Sequence, residues 1–317
     1  MINKFLGLFT FAFFQFSVLL AMPKNEVVTM NQKDVKHKIA LLIEKDVLEN
    51  CVKLFDSTFH KFKNDNKLAF EIKCDGSLVS NLEKNVELVI ADFLQEMTPW
   101  ASFQGEEGTF YEARDGTTSF KWYLDPIDGT TSFRNGLDTF AFTLTLVENN
   151  KAIATTVYFP CLKKTYIAYS GLGVTLNNEP ISMENIHLDD KAIIAISDDY
   201  TFDLTDRAAV LQELRKLPYI PRTITDIHGY CLVAEGKCIA KFDAAGALWD
   251  LWPGHLLIEE AGGKCLFFPV KNPTEDLAGS MLVGHPEVIQ NVYERLQATI
   301  HHEVLCPPSS NPHMTKS

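Results

Sequence analysis

The 317-residue chain contains no CxxC pair and no Cys/His spacing of the kind that builds a zinc site. Its seven cysteines (Cys51, Cys74, Cys161, Cys231, Cys238, Cys265 and Cys306) are scattered and odd in number, so they read mainly as buried thiols. A basic stripe is also missing. The 29 Lys and Arg are outnumbered by 41 Asp and Glu, for a formal net charge of −12, which argues against nucleic acid as a partner. No internal repeat and no flexible linker breaks the chain. With 46 % hydrophobic and 22 % charged residues, the composition excludes a disordered tail protein, a collagen and a multi-span membrane protein. The length suits one large or two intimately packed domains with a deep core.

The single long apolar run lies at the front. Lys4 is followed by Phe5 to Met22, interrupted by Thr10, Gln15 and Ser17. A positive start, an apolar stretch and Ala21 before polar sequence read as a signal peptide over residues 1–21, so the mature chain is expected to be secreted or periplasmic. An uncleaved N-terminal membrane anchor is the alternative, and no other contact with a membrane is expected.

Apolar positions Val35, Ile39, Leu42, Val47, Cys51, Leu54 and Phe55 recur at helical spacing and predict a helix within 33–62. A second helix is expected over Leu82–Phe93. Four strands follow, Phe120–Leu124, Phe140–Val147, Ile153–Phe159 and Lys164–Tyr169, with short turns that suit antiparallel pairing. Later residues alternate: strand Ala192–Ser197, helix Asp206–Lys216, strand Cys238–Phe242, helix Leu248–Ala261 stopped by Gly262-Gly263, strand Lys264–Phe268 and helix Glu287–Ile300. The chain therefore divides into an α+β half, 23–185, an alternating α/β half, 186–300, and a loose tail, 301–317.

The strongest chemical signal is Trp122-Tyr123-Leu124-Asp125-Pro126-Ile127-Asp128-Gly129-Thr130-Thr131-Ser132-Phe133. A strand enters a turn with a carboxylate at each end of Asp-Pro-Ile-Asp. Pro126 fixes φ, and Gly129 permits a backbone shape most residues resist. Two carboxylates so spaced, with the carbonyl of Ile127, can converge as the all-oxygen set a hard cation such as Mg²⁺ prefers. Amides around Gly129 to Thr131 form a phosphate seat if a helix starts near Thr131. Taken alone, the same residues also read as a β-turn opened by Asp125 and a helix capped by Ser132. Gly105-Glu106-Glu107-Gly108 reads alone as a solvated acidic loop, and Asp250 in Ala247-Leu248-Trp249-Asp250 as a first-turn helix acid.

Together these pieces resemble the inositol monophosphatase family: Gly-Glu-Glu, then Asp-Pro-Ile-Asp-Gly-Thr-x-x-Phe, then Trp-Asp about 120 residues on, then Glu260-Ala261-Gly262-Gly263. The resemblance spans roughly residues 35 to 290. It implies an α+β fold, a layered α-β-α-β-α sandwich of the sugar-phosphatase type, and a homodimer. By resemblance, Glu106, Asp125 and the carbonyl of Ile127 hold a first Mg²⁺, and Asp125, Asp128 and Asp250 a second. Glu106 helps a weaker third ion through water, and Li⁺ is expected to inhibit. Thr130 and Glu106 orient the attacking water, while Gly129, Thr130 and Thr131 grip the phosphate. The family's Val-Thr-x-x-Asp appears here as Val79-Ser80-Asn81-Leu82-Glu83. Glu83 then either backs Thr130 across its extra methylene or is an exposed first-turn acid. Lys73 and Asp75-Gly76-Ser77 match the preceding loop and are expected only weakly near the metals.

Asp243, seven residues before Asp250, either touches a substrate hydroxyl or amine or is a loop acid after a strand ending at Phe242. Asp226 before Tyr230-Cys231-Leu232 is similar to the histidinol-phosphatase branch, but Ile227 and His228 replace its Cys-Tyr pair. The implied activity is a Mg²⁺-dependent phosphomonoesterase acting on a small polyol or inositol monophosphate. Histidinol-phosphate and 3′-phosphonucleotide hydrolysis are alternatives, as is a degenerate metal-binding interaction protein.

Overall fold

A computed structural model describes residues 32–299 apart from 66–67, 74–77, 115, 117–118, 185, 187, 190, 198–206, 271–272, 275, 298 and, for side chains only, 32–46 and 64–65. The expected signal segment, the tail 301–317, Asp75-Gly76-Ser77, Cys74, Cys306 and Asp206 lie outside the described residues. Among the described residues no helix is long and apolar enough to cross a membrane.

The elements are α1 (Gln32–Asp65), β1 (Phe70–Ile72), β2 (Leu78–Ser80), α2 (Asn81–Met97), β3 (Ser102–Gly105), β4 (Phe110–Tyr111), β5 (Phe120–Asp128), α3 (Thr130–Arg134), β6 (Ala141–Glu148), β7 (Lys151–Phe159), β8 (Lys164–Tyr169), β9 (Gly173–Leu176) and β10 (Glu179–Ile181). They continue with β11 (Ile193–Ile196), α4 (Arg207–Leu214), β12 (Ile220–Thr223), α5 (Asp226–Ala234), β13 (Ala240–Gly246), α6 (Leu248–Glu260), β14 (Lys264–Pro269), β15 (Gly279–Gly284) and α7 (Pro286–Leu296). The large sheet runs β10-β9-β8-β7-β6-β5-β3-β4 and the smaller one β12-β11-β13-β15-β14, beside the β1-β2 hairpin. The four strands expected from β5 to β8 pair antiparallel, as their short turns require. In contrast, β3 joins β5 in parallel.

Five layers result, in the order α1 and α2, large sheet, α5 and α6, small sheet, α4 and α7. The α-β-α-β-α sandwich is thus the observed fold. Alternation along β5 shows why two cores flank one sheet. Trp122 and Leu124 face Val47, Phe55, Leu82, Val86 and Ile90 of the first helical pair, whereas Tyr123 faces Leu248, Trp252 and Leu256 of α6. Between the sheets, α6 is buried on every side, including Leu251, Trp252, Leu256, Leu257 and Ile258, as a helix hydrophobic all round must be. The outer helix α7 buries one stripe, Val288, Ile289, Val292 and Leu296.

Several sequence expectations shift. Cys51, Cys231, Cys238 and Cys265 are buried thiols, but Cys161 is exposed. The strand expected to stop at Phe242 continues to Gly246, so Asp243 is a strand residue. Its continuation carries a register shift between Asp243 and Gly246 against β15, an irregularity that hydrophobic pattern does not announce.

His255 lies 1 % exposed in α6, with neither ring nitrogen hydrogen-bonded and Glu259 3.5 Å away. Burial, followed by the charge of Lys151, lowers its pKa to about 4. The unfolded chain, with an ordinary histidine near 6.5, then binds the proton first as pH falls. Stability from neutral His255 is therefore fully present above pH 6.5 and is lost toward pH 4, by up to about 3 kcal/mol. Denaturant titrations at pH 7 and pH 5 should show a smaller acid loss in His255→Leu than in the wild type. An equal loss overturns the assignment.

Candidate metal and phosphate site

A register slip builds the site. Along a regular strand Asp125 and Asp128 would point to opposite faces. Here Asp125 pairs with Thr143 and Asp128 with Ala141, so three steps on β5 match two on β6. The extra residue of this bulge brings Asp128 to the face of Asp125, toward α6. Asp250 arrives there from the first turn of α6. One carboxylate oxygen from each of Asp125, Asp128 and Asp250 lies within 4.8 Å of the others.

Each acid is fixed by a backbone amide. Ile127 N–H donates to Asp125 at 2.9 Å, Ile227 N–H to Asp128 at 3.0 Å, and Ala247 N–H to Asp250 at 2.9 Å. Even so, burial and then the neighbouring carboxylates push all three upward. Asp125 rises well above the usual range, with Glu106 the foremost neighbour, Asp128 likewise with Asp226 foremost, and Asp250 reaches about 8. Such a set of oxygens lacks only positive charge, which a divalent cation supplies.

Glu106 is half-buried, its carboxylate 2.9 Å from the Lys73 ammonium, which also reaches Glu107 at 3.0 Å. Lys73 is therefore in direct contact with the acidic loop, closer than the sequence suggested. Burial raises Glu107 to about 8, and the loop is not a solvated one.

The two readings of Glu83 separate cleanly. Glu83 is fully buried and accepts the Thr130 hydroxyl at 2.7 Å, so it is no exposed first-turn acid. Its other oxygen accepts Ser80 N–H, and Ser80 Oγ accepts Glu83 N–H at 3.2 Å. This is a capping box, and the Ser80-x-x-Glu83 spacing is its sequence signature. The Thr130 hydroxyl also lies 3.3 Å from the carbonyl of Ile127.

The helix expected to start near Thr131 starts at Thr130, after Gly129 at φ 85°. Glycine suits this left-handed backbone, and a Cβ there would sit 3.0 Å from Asp226 Oδ2, so that carboxylate would have to shift slightly. Asp226, itself at φ 56°, opens α5 and adds its charge to Asp128 and Asp250. Asp243, on β13, adds its charge to Asp250 and is held 3.1 Å from Lys241, a lysine with no exposed surface. No sequence signal pointed to Lys241. His228 packs edge-on against Phe159.

The inositol monophosphatase family model matches residues 42–304. The chain belongs to the inositol monophosphatase family. That membership makes it a phosphoric monoester hydrolase. An inositol-1-monophosphatase of Rhizobium meliloti is 28 % identical, covering 75 % of this chain and 90 % of that protein. A histidinol-phosphatase of Chlorobaculum parvum is 27 % identical over 61 % of this chain and 73 % of its own. A solved structure described as an IMPase/NADP phosphatase complexed with Mg²⁺ and phosphate has TM-score 0.68 at 19 % identity, covering 82 % and 97 % of the two chains, and so shares the fold.

Asp250 fixes the sign of a pH effect. With its folded pKa raised to about 8, the folded cation-free protein binds a proton the unfolded chain does not, so stability falls as pH rises from 4 to 8. Asp250→Asn should melt higher than the wild type at pH 8, with the gap closing toward pH 4. A gap that stays constant across that range overturns this.

Proposed function

We propose that the chain is a Mg²⁺-dependent phosphomonoesterase for a small polyol or inositol monophosphate. The observation that carries this is the convergence of buried Asp125 and Asp128 with half-buried Asp250, all three raised, beside Thr130 and its buried partner Glu83. Glu106, Asp125 and the Ile127 carbonyl would hold one ion, and Asp125, Asp128 and Asp250 a second, with Glu106 helping a weaker third. When bound there, Mg²⁺ would supply the positive charge that neutralises phosphate and lowers the pKa of a water.

The chain's own groups supply the remainder. The Thr130 hydrogen is committed to Glu83, so the hydroxyl oxygen turns its lone pairs outward and accepts a hydrogen bond from the water. Glu106 aligns that water with Thr130. Amides of Gly129, Thr130 and Thr131 hold phosphate oxygens. Water oxygen bonds to phosphorus, the ester O–P bond breaks, and the departing alcohol oxygen takes up the proton that the water gives up, leaving alcohol and inorganic phosphate. Asp243 accepts a hydroxyl of the alcohol half. The enzyme works outside the cytoplasm as a homodimer, once residues 1–21 have directed export.

One observation favours a second reading, histidinol-phosphate hydrolysis. Asp226 crowds Gly129, so an amine-bearing substrate would meet a carboxylate at the site's edge.

Phosphate release from inositol monophosphate, histidinol phosphate and an adenosine bisphosphate, with Mg²⁺ or EDTA, tests both readings. Release should need Mg²⁺, fall with Li⁺, favour the inositol ester, and drop in Asp125→Asn by more than the roughly 100-fold typical of changes behind the ligands. Mg²⁺-independent release overturns the mechanism, and preference for histidinol phosphate installs the second reading. Glu83→Asp shortens the side chain by one methylene on this backbone, so its bond to Thr130 should lengthen and kcat fall about 10- to 100-fold with KM little moved. An unchanged kcat removes Glu83 from the support of Thr130.

A further inference from the structure

One helical turn beyond Glu83, α2 carries a second fully buried carboxylate, Glu87. Its two oxygens are divided between two amides of the acidic loop. Oε2 accepts Glu107 N–H at 2.7 Å, and Oε1 accepts Thr109 N–H at 2.7 Å. The same loop is pinned at its start, where Glu106 N–H donates to the carbonyl of Leu124 on β5 at 3.0 Å. Gly105 N–H reaches the carbonyl of Thr109 at 2.9 Å and closes the turn.

Gly105 admits this arrangement. A Cβ at that position would fall 2.1 Å from Glu87 Oε2 and 2.2 Å from its Cδ, so any side chain would expel the carboxylate. The glycine ahead of Glu106-Glu107 is thus explained by close approach, since Gly105 has no left-handed backbone to require it.

We infer that Glu87 is a positioning residue for Glu106: it clamps the amides on the far side of Glu106 while β5 holds the near side, so that the Glu106 carboxylate is presented to the cation site before any ion arrives. This rests on the metal assignment proposed above. A single helix face then sets both arms of the site, with Glu83 oriented toward Thr130 and Glu87 toward the loop of Glu106.

Glu87→Gln keeps the size of the side chain but turns an NH₂ donor against one of the two N–H donors, so one clamp bond is lost. Gly105→Ala removes the clamp from the other side. Calorimetric titration of Mg²⁺ into the full chain should show the dissociation constant rising about tenfold or more in each variant. The double variant should add little further loss, because both changes break one contact. Variants that melt lower but bind Mg²⁺ as the wild type does would make Glu87 merely structural and overturn the inference. Amide hydrogen exchange gives a check without substitution. In the wild type, exchange at Glu107 and Thr109 should be slow with or without Mg²⁺, and exchange that is slow only once Mg²⁺ is added overturns pre-arrangement. A wild type that takes up no Mg²⁺ overturns the proposed function itself, and this inference with it.

Discussion

Holding like charges together inside a folded chain is the constraint on which the site depends. Asp125, Asp128 and Asp250 are brought within 4.8 Å, and burial together with mutual repulsion raises each of them. One amide per acid does not offset that cost, since every one of the three remains raised. What keeps the acids in place is that each amide belongs to a different segment, the β5 bulge, the start of α5 and the start of α6. The repulsion is therefore spread over the junction of both sheets with the middle helices. A divalent cation at the point where the segments meet would relieve it, so ligand binding and the closing of the fold become one physical problem.

The layered architecture follows from the same demand. Asp250 can reach the β5 acids because α6 lies between the sheets, and α6 lies there because Leu248, Trp249, Leu251, Trp252, Leu256, Leu257 and Ile258 are apolar and buried around it. On the opposite face of β5, the stripe Leu82, Val86, Ile90 and Leu94 anchors α2 against Trp122 and Leu124. Glu83 and Glu87 flank that stripe and are drawn under with it. Their burial follows from the packing of their neighbours, and full hydrogen bonding of their oxygens makes it tolerable.

This explains what could be read in the sequence and what could not. The antiparallel run β5 to β8 and the middle helix announce themselves by apolar pattern and turn residues. Asp125, Asp128, Glu106 and Asp250 announce themselves by motif. The parity change that puts Asp125 and Asp128 on one face does not, because a bulge leaves the residue types unchanged and alters only their pairing. Glu83 was ambiguous for a comparable reason: an acid at the third helical position is equally at home in water or in a capping box. Ser80 three residues earlier carried the distinction. The short strands β1, β4 and β12 are too brief to show a period, and β15, Gly279–Gly284, is buried at every residue, so alternation had nothing to report. Lys73, Glu87 and Lys241 acquire their meaning from partners that are distant in sequence or set by strand geometry, which single-chain spacing does not encode.

Lys241 shows how tightly the Asp243 end of the site is bound into the core. Its ammonium has no exposed surface, lies 3.1 Å from Asp243, 3.4 Å from the carbonyl of Ile224 and 4.9 Å from the centre of the Tyr230 ring. Removing one partner of so buried a pair leaves the other charge stranded, at a cost of about 3–5 kcal/mol. Asp243 is thus constrained from within the core. Gly229 belongs to the same arrangement, because a Cβ there would fall 2.6 Å from the Lys241 side chain. Altering the acid at this position without loss of stability requires changing Lys241 along with it, and the space opened beside Gly229 must then be filled. The charge at this end of the site is therefore set by a buried pair acting as a unit, in which Asp243 is the member nearer the surface.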